Sequence, residues 1–171
     1  MLATPKKIRR RRPRGEVSVE QVQDPAIIAA MLDRAGAGTA APADFNDGAE
    51  CFLMAYWGDD PVGIAGLETE VDAALMRPLF VLETMRRRGV GTSLVRAVQV
   101  AAHTRGARTL YAAAPATSVD YFMRFGFAKV GFAELVKTFG QVSMLRWIRS
   151  DDVSECGVVR LDISRYGLIE R

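Results

Sequence analysis

The chain has 171 residues, of which 49% are hydrophobic and 25% charged, proportions typical of one globular domain. No apolar run approaches the roughly 18 residues of a membrane-spanning helix, and a polar segment stands where a signal peptide would have its apolar stretch. The chain has a single histidine, His103, which argues against a Cys–His metal site and against catalysis by a Cys–His or Ser–His–Asp set. Its two cysteines, Cys51 and Cys156, are far apart in the sequence. They are therefore predicted to be free thiols in a cytoplasmic protein.

The net charge of +3 is unevenly distributed along the chain. Residues 1–14 hold seven basic side chains and no acidic one, so residues 15–171 carry a net charge of −4. Repulsion between like charges predicts that this basic tail is disordered. It offers phosphate contacts to nucleic acid or to an anionic membrane surface, but a solubilising extension or a misplaced start site explains the same residues equally well.

Alternating or continuous apolar patterns predict four strands in the first half of the chain, at 16–22, 51–57, 62–68 and 73–81, with a hairpin turn at 58–61. Between the first two strands, Asp24 should cap a helix that has Pro25 in its first turn and continues to Gly36. A loop or a broken second helix should follow at 37–48. Pro78 lies inside the fourth strand and cannot donate to a sheet, so that strand should bulge or splay there.

The second half should contain a long helix, a short helix and three more strands. The long helix spans 91–104 and is followed by strands at 109–114, 127–130 and 156–163. Ser118 should cap the short helix that carries Tyr121, and 133–149 should form one or two helical turns with loops. Residues 15–171 are therefore predicted to form one mixed α/β domain.

The most informative segment is 86–92, Arg-Arg-Arg-Gly-Val-Gly-Thr, which we call the basic turn. Cations at the start of a helix oppose the helix dipole, unless an anion binds between the arginines and the free backbone N–H groups. A phosphate or pyrophosphate is the expected anion, and a solvated basic turn is the alternative. The segment is neither a P-loop, because no lysine stands between Gly91 and Thr92, nor a dinucleotide motif, because Leu94 replaces the third glycine.

Arg-x-x-Gly-x-Gly at mid-chain resembles the pyrophosphate loop of the GNAT superfamily of acyl-CoA N-acyltransferases. The strand at 79–81, the strand at 109–112 and the segment 121–127, which is similar to the superfamily signature Phe-Tyr-x-x-x-Gly-Phe, follow in the same order. The resemblance covers about residues 15–165. It implies a mixed, mostly antiparallel sheet of six or seven strands, splayed at the fourth strand and flanked by four or five helices. It also implies acetyl-CoA as the co-substrate, with no metal.

Transferred onto this sequence, the resemblance assigns the cofactor to strand residues before the basic turn, to the turn itself and to one aromatic residue. These positions are Leu79, Phe80, Val81, Arg86, Arg87, Arg88, Gly89, Val90, Gly91, Thr92 and Phe122. It implies that a primary amine attacks the thioester directly, in a ternary complex. A backbone N–H of Phe80 or Val81 would then stabilise the oxyanion.

One departure from the superfamily pattern concerns the proton for the leaving thiolate. The signature places a tyrosine where this chain has Phe122, and Gly126 with Phe127 fixes that register. Tyr121 is the candidate general acid instead, but one helix position turns a side chain by about 100°, which favours core packing for Tyr121. Phe122 should then pack against the acyl-pantetheine arm. Either water would supply the proton, or the chain would be a weak enzyme.

A narrower resemblance concerns the acceptor. Gly63-x-x-Gly66-Leu67-Glu68 and the strand around Arg77 are similar to a branch acting on small amino acids, which includes arsenic-resistance-associated acetyltransferases and the acetyltransferase domain of N-acetylglutamate synthase. By this resemblance Glu68 is the base or the ammonium-binding group, and Arg77 binds the acceptor carboxylate. A solvated carboxylate at Glu68 and an internal salt bridge at Arg77 are the alternatives.

Three functions therefore remain: an acetyl-CoA-dependent N-acetyltransferase acting on a primary amine, a catalytically silent acyl-CoA-binding regulator, and a nucleic-acid-associated protein using the basic tail. The first agrees with most motifs, and Phe122 motivates the second. We expect no membrane association. Dimers are common in the superfamily, so the resemblance leaves a homodimer open.

Overall fold

The computed structural model describes residues 15–34, 51–145 and 156–165. The predictions for the basic tail, for the segment 37–48, for the end of 133–149 and for the Cys156 thiol lie outside the described residues and side chains. Within the described residues no helix is long and apolar enough to cross a membrane.

A seven-stranded sheet forms the centre of the described structure, with strand order β1-β2-β3-β4-β5-β7-β6. Its strands are β1 Val17–Val22, β2 Cys51–Trp57, β3 Asp60–Glu70, β4 Ala73–Val81, β5 Thr109–Pro115, β6 Ala128–Val130 and β7 Cys156–Asp162. All neighbouring strands are antiparallel except β4 and β5, which are parallel. The predicted mixed, mostly antiparallel sheet is confirmed.

Among the described residues four helices flank this sheet: α1 Pro25–Arg34, α2 Val90–Thr104, α3 Val119–Met123 and α4 Phe132–Leu145. At the start of α1, Ala26 N donates to Asp24 Oδ1 over 2.9 Å, as the predicted cap requires. Two details correct the prediction. Ser118 stands at the start of α3 but makes no side-chain cap, and α4 is a 14-residue helix, broken at Gly140 (φ 70°), rather than one or two turns.

The two faces of the sheet bury separate apolar clusters, because successive strand residues point to opposite sides. Helix α2 covers one face with buried side chains such as Leu94, Val95 and Val98. Helices α1 and α4 cover the other face, in two clusters around Met31 and Leu135. Cys51 is a buried free thiol in the α2-side cluster, and burial raises its pKa.

A β-bulge in β4 opens the sheet at the position that Pro78 predicted. Leu67 pairs with Met76 and Ala65 with Leu79, so Arg77 and Pro78 together face the single residue Gly66 on β3. Pairing between β4 and β5 ends at Met76 and Ala112, and the two strands separate beyond that point. The parallel strands thus form a cleft whose edge lies directly before the basic turn.

Candidate active site

The cleft between the separated ends of β4 and β5 has a volume of about 750 Å³, which is within the range of small-molecule sites. Its walls come from both strands, the basic turn, the first turn of α2 and helix α3. They are formed by Met76, Leu79, Phe80, Val81, Arg86, Arg87, Gly89, Gly91, Thr92, Ala113, Ala114, Pro115, Ser118, Tyr121, Phe122 and Arg124. Three of these residues are arginines and none is acidic.

The strand walls supply backbone polar groups. Beyond Met76 and Ala112 the facing edges of β4 and β5 no longer pair with each other. The outer edges continue to pair, with Phe80 opposite Ile64 on β3 and Ala114 opposite Gly157 on β7. An extended ligand with amide groups can therefore lie between the two strands and pair with both.

The basic turn supplies positive charge and free N–H groups at one end of the cleft. Gly89 caps α2 with φ 83° and no side-chain cap, and Ser93 N donates to Gly89 O over 2.9 Å as an early helical bond. The N–H groups of the preceding positions have no acceptor within the helix. With Arg86 and Arg87 in the same wall, this end of the cleft fits an anion.

Most of the predicted cofactor residues line the cleft, but two side chains do not. The Arg88 guanidinium lies over the Trp57 ring, 5.9 Å from the ring centroid, and Arg88 is not among the residues that line the cleft. Val90 is 1% exposed and packs in the core beneath α2. Neither side chain lines the cleft, Val90 could contribute only through its backbone, and the assignment of both residues to the cofactor stays a prediction.

Tyr121 and Phe122 both line the cleft, in different ways. Phe122 is buried and packs edge-to-face against Phe127, with ring centroids 5.6 Å apart. Tyr121 packs edge-to-face against Phe122 and Phe125, and its hydroxyl lies 2.7 Å from the position that a Cβ on Gly91 would occupy. The hydroxyl oxygen is buried, and the Thr92 hydroxyl lies near it but outside ordinary hydrogen-bond geometry.

Burial also raises the pKa of the Tyr121 phenol above its usual value. The Thr92 hydroxyl and the Arg124 guanidinium oppose this effect only in part. Tyr121 is therefore protonated at neutral pH, as a hydrogen-bond donor directed at the first turn of α2.

Sequence reasoning did not identify Arg124, Ser118 or the β5 wall as part of the cleft. Arg124 directly follows α3 and is exposed. A signal was available, because Arg124 lies inside the segment 121–127 that carries the superfamily signature. Its orientation depends on how α3 packs, which the signature alone does not specify.

Glu68 and Arg77 are brought together but do not line the cleft. Arg77 Nη2 donates to Glu68 Oε1, and each side chain is 16% exposed. Glu68 pairs in register with Leu75, which belongs to the α4-side cluster, so the ion pair lies on the face of the sheet opposite α2. The internal salt bridge, one of the two alternatives for Arg77, is present.

A second polar group holds α4 against the same face. Glu134 Oε1 accepts from the Tyr111 hydroxyl over 3.0 Å and from Arg160 Nη1 over 2.7 Å.

Across the part of the chain that is described, there is no group of three or more His, Cys, Asp or Glu side chains that could hold a metal ion.

A family model described as an acetyltransferase (GNAT) domain matches residues 20–144, and no curated protein matches. N-acetylglutamate synthase from Neisseria gonorrhoeae, complexed with coenzyme A and N-acetyl-glutamate, superimposes with a TM-score of 0.66 at 16% identity, over 86% of this chain and 35% of that one. This chain thus spans about a third of the synthase.

Two further structures match over nearly their whole length. A putative GNAT acetyltransferase from Desulfovibrio desulfuricans has a TM-score of 0.61 at 18% identity, covering 86% of this chain and 99% of that one. An IAA acetyltransferase from Bacillus cereus has a TM-score of 0.64 at 18% identity, with the same coverage. At these identities the structural matches establish a shared fold.

Proposed function

The chain belongs to the GNAT acetyltransferase family, and from this premise we propose that it transfers an acetyl group from acetyl-CoA to a primary amine on a small, amino-acid-like acceptor. The observation that carries the proposal is the continuity of one cleft. The opened strand edges, the basic turn and the start of α2 meet in it, with three arginines and no acidic residue.

Acetyl-CoA fits the two ends of this cleft by its chemistry. The pyrophosphate would bind at Arg86, Arg87 and the free N–H groups at the start of α2. The pantetheine amides would pair with the unpaired edges of β4 and β5. The thioester would then lie towards Met76, where the two strands converge.

The transfer itself needs few side chains. The acceptor ammonium must first lose a proton, for which Glu68 or a water chain leading to it is the proposed base. The free amine nitrogen then attacks the carbonyl carbon and gives up a second proton to solvent, and an N–H of Phe80 or Val81 stabilises the oxyanion, a contact typically worth about 3–4 kcal/mol. Collapse of the intermediate breaks the C–S bond. Because a thiol has a pKa of about 8.5, water would suffice to protonate the thiolate. Phe122 cannot donate a proton, and the Tyr121 hydroxyl lies against Gly91, in the phosphate end of the cleft.

The Glu68–Arg77 pair is the proposed contact for the acceptor. It lies on the face opposite α2, next in sequence to the cleft residue Met76, so the amine and the cofactor would approach from opposite sides. An amino acid carries both charges that this pair can bind, its ammonium at Glu68 and its carboxylate at Arg77. The matched N-acetylglutamate synthase structure holds a ligand that carries carboxylates.

The acceptor proposal is tested by substituting the arginine. Arg77→Ala should raise KM for a carboxylate-bearing amine tenfold or more, because a charge-assisted contact is worth about 1.5–3 kcal/mol. KM for acetyl-CoA should stay within twofold. Arg160→Ala is the matched control, since Arg160 forms an ion pair on the same face two strands away. A best acceptor without any carboxylate would refute this assignment.

A catalytically silent acyl-CoA-binding regulator is the second candidate, and Phe122 at the signature tyrosine position favours it. Calorimetry with CoA and thiol release with an amine panel separate the two. Binding with no amine-dependent release would support the regulator. The cytoplasmic location, the homodimer and any role of the basic tail stay predictions.

A further inference from the structure

We propose that Trp57 of β2 is a positioning residue for cofactor binding, because its ring holds the Arg88 guanidinium and thereby fixes the backbone of the basic turn. The inference rests on the proposed function for its ligand. It concerns a residue that does not line the cleft, and it gives the Arg88 side chain an anchoring role in place of a contact with the cofactor.

The Trp57 ring is held in place beside the basic turn. Trp57 is the last residue of β2, and its backbone pairs with Val17 on β1 and with Asp60 on β3. Its half-buried side chain packs against the α2-side cluster. The strand pairs and the packing therefore fix the ring without any help from the turn.

The contact between Arg88 and this ring joins the basic turn to the end of β2. The Arg88 guanidinium carbon lies 5.9 Å from the ring centroid. A cation within about 6 Å of the centroid is attracted to the face of an aromatic ring, and the attraction is strongest for tryptophan. Neither residue lines the cleft, so the contact acts on the turn from behind.

The backbone of the turn needs such an anchor. Arg87 has φ 60°, a left-handed conformation that residues other than glycine rarely adopt. Strained residues of this kind persist only where surrounding contacts hold them, and they cluster where ligands bind. Before Arg87, Arg86 N donates to Glu83 O over 3.2 Å. The turn is thus held on both sides of Arg87, which lines the cleft.

The test is a double-mutant cycle on the full-length protein, with CoA binding measured by calorimetry. Trp57→Leu removes the ring and keeps an apolar side chain, and Arg88→Gln removes the cation. Each should weaken CoA binding about two- to fivefold, the range of a cation–π contact at a partly exposed site. The double variant should bind no more weakly than either single variant, because both changes break the same contact. Trp57→Phe keeps an aromatic face and should lose less than Trp57→Leu.

The cycle separates an anchor from a ligand. If Arg88 binds a phosphate directly, Arg88→Gln weakens CoA binding by the same factor in the wild type and in Trp57→Leu, and the inference is overturned. Unchanged CoA binding in Trp57→Leu would overturn it as well.

Tyr56→Leu is the matched control for the loss of an aromatic side chain. Tyr56 is the neighbouring residue of β2, and it packs against the cluster around Met31 on the other face of the sheet. Its substitution should leave the CoA affinity unchanged. A loss equal to that of Trp57→Leu would show that general destabilisation is the cause and would overturn the inference.

A kinetic split separates cofactor binding from the transfer step. With the best amine of the panel, Trp57→Leu should raise KM for acetyl-CoA about two- to fivefold and retain kcat within about twofold. A tenfold fall in kcat at unchanged KM would overturn the inference. If CoA binding shows the expected coupling and no amine is acetylated, the proposed function fails while the role of Trp57 stands. If CoA does not bind to the wild type, both fail.

Discussion

Gly66→Ala should damage both the fold and the cleft, because the bulge in β4 leaves no room for a side chain on β3. A Cβ at Gly66 would lie 2.1 Å from the Arg77 carbonyl oxygen and 3.1 Å from a ring carbon of Phe52. The closest contact is to backbone, so no rotamer change relieves it. The bulge itself would have to move by more than about 1 Å to reach ordinary van der Waals contact, which begins at about 3.4 Å.

The size of the effect follows from that displacement. Overpacking a close-packed site costs about 1–3 kcal/mol, and a backbone clash belongs at the upper end. For a domain of this length, about 3 kcal/mol lowers Tm by roughly 6–12 °C. Misplacement by about 1 Å can also cost up to a hundredfold in rate, so the opened strand edge should bind acetyl-CoA less productively.

Thermal denaturation and calorimetry with CoA measure the two effects. Gly131→Ala is the matched control, because no atom lies within 4 Å of its Cβ position. The control should keep the wild-type Tm within about 2 °C and the wild-type CoA affinity. If Gly66→Ala behaves like Gly131→Ala in both measurements, the bulge does not shape the cleft as argued.

Three further predictions concern the cleft. Gly91→Glu should abolish CoA binding in calorimetry while circular dichroism shows a retained fold, because a carboxylate would stand where the pyrophosphate binds; unchanged affinity would contradict the phosphate assignment. Phe122→Tyr should be tolerated and give equal or higher turnover in thiol-release assays, since it restores a hydroxyl at the signature position; a tenfold loss would show that packing excludes it. Burial raises the pKa of Tyr121, so its contribution to stability is complete below pH about 10 and lost as pH rises further. In alkaline denaturation Tyr121→Phe should show a smaller loss of stability above pH about 10, and a loss identical to the wild type would refute this cause.

The sequence predicted the local elements well where the special residues, such as prolines, glycines and capping residues, agree with the hydrophobic periodicity. The bounds of β4 agree with its apolar run, and Pro78 predicted the position of the bulge. The Asp24 cap and the glycine turn before α2 follow from local backbone requirements. Such features depend on residues that are close in sequence, so a short segment of sequence is enough to predict them.

The sequence did not specify side-chain orientations that depend on distant contacts. Three consecutive arginines look equivalent in sequence, but Arg87 has φ 60°, and Arg88 contacts Trp57 of β2 outside the cleft. The Glu68–Arg77 ion pair depends on strand register across a bulge. Arg124 lines the cleft because of how α3 packs, and Tyr121 and its aromatic neighbours determine that packing.

Helix α4 shows a different limit. Its apolar residues Phe132, Leu135, Val136 and Phe139 have helical spacing, which was visible in the sequence. The sequence predicted only one or two helical turns with loops at 133–149. In the structure the helical segment continues beyond a break at Gly140, so the glycine is an internal kink rather than an end.

The central claim is that the cleft transfers acetyl groups from acetyl-CoA to an amine. The most direct measurement is thiol release from acetyl-CoA by the full-length protein with a panel of primary amines that includes glutamate-like amino acids, with mass spectrometry of the products. We predict amine-dependent thiol release, an N-acetylated product in equal amount and a preference for acceptors that carry a carboxylate. Thiol release no faster than without protein for every amine, from a protein that binds CoA, would contradict the claim.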